Sequence, residues 1–91
     1  MAEFLVELYV SRLDAQAAER GAERARRAAE HLTRRGTPVR YVRGLFVPED
    51  ETCFLLYEAA SPETVHEAAR LAGLPCEHVV EAMRTGSAPH A

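Results

Sequence analysis

Between residues 39 and 58 the chain reads VRYVRGLFV, then PEDET, then CFLLYE: two apolar-rich runs joined by five residues of turn character. A connection that short cannot carry a chain back over a sheet to a parallel position. The two runs must therefore pair antiparallel, as a hairpin. Each side of the hairpin carries a helix pattern. After it, Ser61 can cap a helix with Pro62 at the first position, and LAG followed by Leu74-Pro75 closes that helix at Gly73. Before it, SRLD opens a long helix in which Ser11 or Asp14 can cap the free amides. Ala18, Ala22, Ala25, Ala29 and Leu32 then recur at helical spacing as a narrow apolar stripe, until Gly36 and Pro38 end the helix. Glu23 with Arg27 and Glu30 with Arg34 are favourably oriented pairs, worth about 0.3 kcal/mol each. FLVELYV (4–10) and EHVVEAM (77–83) read as the first and last strands.

The resulting order, β-α-β-β-α-β, is that of a ferredoxin-like α+β domain. The expected sheet is four-stranded and antiparallel in the order 4-1-3-2, with two helices on one face. With 91 residues the chain has room for one core. Residues 1–84 are expected to form that domain and 85–91 a flexible C-terminal tail. The helix-free face of the sheet draws on Leu5 or Phe4, Val42, Leu45, Phe46 and Leu56. A second copy of the chain is the simplest cover for it, which predicts a homodimer joined through the open sheet faces.

Composition excludes several functions. The net charge is −3 and all eleven basic residues are arginine, a balance that argues against binding a nucleic-acid backbone. RGLFV (43–47) has a superficial likeness to an RNA-binding signature but falls on the second strand and lacks the full aromatic pattern. No apolar run approaches the roughly 18 residues that span a membrane. A cytoplasmic location is expected, where two cysteines are more often thiols than a disulfide. There is no CxxC after the first strand, no glycine-rich phosphate loop, and no nucleophile with a base at a recognisable spacing.

FLVELYV, CFLLYEAASPETV and ARLAGLPCEHVVEA together resemble the small bacterial proteins called domain of unknown function 4242, a nickel-binding-protein-like group. The resemblance covers roughly residues 3–82. Its most specific parts are YEA followed by a Ser-Pro helix start, and AGLP leading into a valine-rich strand. It implies a ferredoxin-like subunit that dimerises and, for some members, binds nickel. Many members carry a histidine in the second helix, about five residues before the AG. That region here is Ala68-Ala69, and the nearest histidine is His66.

Two constellations carry chemistry. Cys76 and His78 lie two apart, on one face of a strand if the chain is extended from residue 76, and a thiolate with an imidazole can hold nickel, zinc or copper. The assumed topology brings Cys53 and Tyr9 to the same edge of the sheet. Cys53 and Cys76 would stand about 9–10 Å apart, too far for a disulfide. The bland alternative is a buried thiol and a surface histidine. The second constellation is Glu7 and Glu58, carboxylates in apolar strands that need a partner such as Arg40 or Arg43. They could line a catalytic cleft with Tyr9 and Tyr57, or form interface ion pairs; tyrosines here are more often core residues whose tips reach water. His31 and His66 sit at the flanks of helical stripes. The leading expectation is a small homodimeric ligand-binding protein that takes nickel or another transition metal. The alternative is a small biosynthetic enzyme, a cyclase, isomerase or oxygenase-like protein, with its cavity in the dimer.

Overall fold

The computed structural model describes residues 1–76 and 78–86; residue 77 and residues 87–91, most of the expected tail, lie outside the described residues. The elements are β1 (Ala2–Tyr9), α1 (Ala15–Arg34), β2 (Val39–Val47), a 3-10 turn (Pro48–Asp50), β3 (Thr52–Ala59), α2 (Pro62–Leu71) and β4 (Val79–Ala82). They form one antiparallel sheet in the order β2-β3-β1-β4. This is the expected ferredoxin-like α+β fold. No helix among the described residues is long and apolar enough to cross a membrane.

Strand alternation sorts the sheet into two faces. Phe4, Val6, Leu8, Cys53, Leu55, Tyr57 and Ala59 are buried on the helix side. Ala25, Ala29, Val65, Ala68 and Ala69 meet them from the helices, and the small alanine side chains let both helices lie close to the sheet. Fully burying a residue such as Leu55 or Val65 contributes about 1.5–3 kcal/mol. Asp14 is the cap of α1: its carboxylate accepts from the Ala17 amide at 3.0 Å, while Ser11 serves the preceding turn by accepting from the Leu13 amide. Glu23 pairs with Arg27 at 3.1 Å as expected. Glu30 instead takes Arg26, at 2.8 Å, because Arg26 lies between Glu23 and Glu30 and serves both.

A β-bulge on β2 changes which residues face the helices. Tyr41 pairs with Tyr57, but the next β3 position, Leu56, pairs with Arg43, so Val42 is the extra residue. Beyond it the alternation is reversed. Phe46, expected on the open face, stands opposite Cys53 and packs against the core. Phe4 is likewise buried on the helix side. The open face is therefore built from Leu5, Leu45, Phe54, Leu56 and Val80, with charged residues around them.

Tyr57 departs from expectation in one respect: it is wholly buried, and among the described residues its hydroxyl has no hydrogen-bond partner. Tyr41 meets it edge to face, with ring centroids 5.7 Å apart. Burial raises the Tyr57 phenol, with Tyr41 and Cys76 adding to the effect. Burial also pushes Tyr41 up to about 12. A buried hydroxyl without a partner costs stability. Tyr57→Phe is expected to stabilise the fold by about 1 kcal/mol, raising the thermal midpoint by roughly 4–8 °C. A lower midpoint would mean that the hydroxyl has a partner.

Candidate functional site

The end of α2 positions a close pairing of a thiol and an imidazole. Ser61 caps its start by accepting from the Thr64 amide, and Pro62 follows at the first position. At the other end Gly73 takes φ +73°, a conformation that residues with a Cβ adopt only at a cost. Its amide donates to the Arg70 carbonyl, and the Leu74 amide donates to that of Ala69 at 3.0 Å, which is a Schellman closure. That turn drives Leu74 into the core beside Gly21, where its Cδ2 lies 3.7 Å from the place a Cβ would occupy. Pro75 then sends the chain back along the helix. Cys76 is thereby set against α2, with its Sγ 3.6 Å from Nδ1 of His66.

Cys76 is half-buried and His66 is exposed. Burial raises the Cys76 thiol, and a hydrogen bond from the His78 backbone amide partly offsets that rise. His78 thus meets Cys76 through its main chain, and its side chain is exposed. The expected strand face shared by Cys76 and His78 does not form, because β4 starts only at Val79. The sheet edge expected to hold Cys53 differs as well. Cys53 points into the core opposite Leu8 and Phe46, and burial, then Glu19, raises its thiol. Both cysteines are free thiols. Among the described residues no group of three or more His, Cys, Asp or Glu is placed to hold a metal ion.

The second constellation is spread over the molecule. Glu58 and Glu7 share the open sheet face. Glu58, however, stands opposite Glu3, and Glu7 stands opposite Phe54, four residues along β1. That separation is roughly 13 Å along the strand. Each of the two facing carboxylates has its own arginine: Arg40 Nη1 lies 3.0 Å from Glu58, and Arg84 Nη2 lies 3.2 Å from Glu3. Glu7 is exposed. Tyr9 is 74% exposed and donates to Glu51 at 3.4 Å, whereas Tyr57 faces the helices. Glu7, Glu58, Tyr9 and Tyr57 thus line no common cavity.

Sequence reasoning missed the partnership of His66 with Cys76. The usable signal was the glycine-closed end of α2, since a Schellman turn folds the following residues back beside the last helical turns. Ala68 and Ala69, where the resemblance places a histidine, are both fully buried in the core. The pattern of nickel-responsive SCO4226-like proteins matches residues 6–82. The chain belongs to that family. The crystal structure of SCO4226 from Streptomyces coelicolor A3(2) superposes with a TM-score of 0.69 at 17% identity, covering 93% of this chain and 100% of that one. At that identity the likeness establishes the shared fold. No curated protein matches the chain.

Proposed function

We propose that this family member is a small homodimeric protein that binds a transition-metal ion, nickel being the first candidate, through Cys76 and His66. The observation that carries the reading is the 3.6 Å contact between the Cys76 thiol and the His66 ring nitrogen. Thiolate and imidazole are the donors that borderline ions such as Ni2+ and Zn2+ prefer. A thiolate at about 2.3 Å and an imidazole nitrogen at about 2.05 Å from a tetrahedral ion stand about 3.6 Å apart, and at a right angle about 3.1 Å. The pair therefore has a tetrahedral bite already, and a small turn of the exposed His66 ring gives the square one. Two protein donors leave the other coordination positions to solvent. Such an open site exchanges its ion, which suits a responsive protein better than a permanent structural metal. The nickel responsiveness named for the family supports the choice of ion.

The homodimer rests on the open sheet face, where Leu5, Leu45, Phe54, Leu56 and Val80 lie uncovered across all four strands. Leu45 is 60% exposed and Val80 40%. The matching face of a second copy buries these side chains and leaves the Glu58–Arg40 and Glu3–Arg84 pairs toward one end.

Metal binding is expected to depend on pH in one direction. The ion must displace the thiol proton, and burial holds the Cys76 thiol above its usual range. Affinity should therefore climb as pH rises through neutrality, by up to about tenfold per unit while the thiol remains protonated. Calorimetric titration of the reduced protein with Ni2+ under anaerobic conditions, repeated across pH, tests this. An affinity that stays flat with pH would rule the Cys76 thiolate out as a ligand.

A further inference from the structure

The groove between α1 and α2 gathers positive charge in a chain whose net charge is −3. A cleft of about 590 Å³ is lined there by His31 near the end of α1, by Arg35 and Thr37 just beyond it, and by Glu67 and Arg70 from α2. An adjoining cleft shares His31 and adds Arg24 and Arg27. Arg27 is engaged by Glu23 at 3.1 Å, and Arg24 donates to the Gly73 carbonyl at 3.5 Å. Among the described residues neither Arg35 nor Arg70 has an ion-pair partner.

Helix-end placement accounts for part of this, since cations in a last turn complement the helix dipole, as Arg34 does on α1 and Arg70 on α2. It does not account for the shared concave setting of Arg35 and Arg70, nor for the scarcity of acid around it. Among the described residues Glu67 is the one carboxylate lining the cleft, while Glu23 and Glu30 are taken up by Arg26 and Arg27 along α1.

We propose that this cleft is an anion site that takes a small molecule bearing a phosphate or diphosphate group, held by the guanidinium forks of Arg35 and Arg70. Arginine forks match phosphate oxygens two at a time, and the Thr37 hydroxyl and the His31 ring offer further donors. The volume lies in the range of small-ligand sites, roughly 300–1,000 Å³. A nucleic-acid backbone would need a continuous basic track, whereas the acids along α1 and the overall negative charge oppose one. The cleft shares no residue with the Cys76–His66 pair.

Calorimetric titration of the whole chain with inorganic pyrophosphate, at a fixed ionic strength of about 0.15 M, tests the proposal. Saturable one-to-one binding is expected, weakened by about tenfold or more in Arg35→Gln/Arg70→Gln and by less than about twofold in a control, Arg12→Gln/Arg20→Gln. Arg35→Lys/Arg70→Lys keeps the charge but loses the forks, and should fall between. Ni2+ binding should be the same in all of these proteins, so a failure here is separable from a failure at Cys76. Absence of saturable binding, equal losses in the two glutamine pairs, or citrate binding as tightly as pyrophosphate would overturn the proposal. So would binding of an RNA oligonucleotide without binding of pyrophosphate.

Discussion

Replacing Cys76 with serine or His66 with alanine is expected to weaken Ni2+ binding by about a hundredfold or more, whereas His78→Ala changes it by less than about threefold. The contrast follows from where the side chains point. Cys76 Sγ and His66 Nδ1 face each other at 3.6 Å, and His78 reaches the thiol only through its backbone amide. Removing either donor leaves a one-ligand site, which holds a divalent ion little better than an isolated side chain does. Neither change should unfold the protein, because His66 is exposed and serine keeps the shape of the half-buried Cys76. Calorimetry on the three variants, with far-UV circular dichroism as a check on folding, gives the answer. A large loss for His78→Ala with little change for His66→Ala would return the site to the Cys-x-His pair visible in the sequence.

Leu56→Asp is expected to convert the proposed homodimer to a folded monomer. Leu56 sits near the centre of the open face, paired with Leu5 on one side and Arg43 on the other. Arg43 opposite can pair with the new carboxylate, but taking both charges out of water in place of an apolar contact still costs stability, and the twofold of the proposed dimer repeats that cost. The dissociation constant should rise by about a hundredfold, since each 1.4 kcal/mol is a factor of ten. The monomer fold should survive, because residue 56 lies outside the helix-side core. Light scattering at micromolar concentration reads both states. A monomeric parent, or a variant that remains a dimer, would mean that the open face is covered in some other way.

What the sequence conveyed was governed by local chemistry. The hairpin followed from the length of PEDET, and both helix ends from a glycine with a proline close behind. What it did not convey depended on how distant segments meet. The one mark of the bulge at Val42 in VRYVRGLFV is Gly44, which does not fix its position, yet the bulge moves Phe46 from the open face into the core. Glu58 could be seen to need a cation, and Arg40 was one of the two arginines anticipated for it. Its direct neighbour proved to be Glu3 rather than Glu7, because register is decided by pairing across the whole sheet. The Cys-x-His spacing drew attention to His78, while the reversal of the chain at Gly73 selected His66, ten residues earlier.

X-ray absorption at the nickel edge reads the ligand atoms of the proposed Cys76–His66 site themselves. Protein loaded with one equivalent of Ni2+ should show one sulfur together with imidazole nitrogen among the nearest scatterers. The sulfur should vanish in Cys76→Ser, and the imidazole pattern should weaken in His66→Ala. Nearest neighbours of nitrogen and oxygen only in the parent protein, unchanged in both variants, would place the ion elsewhere.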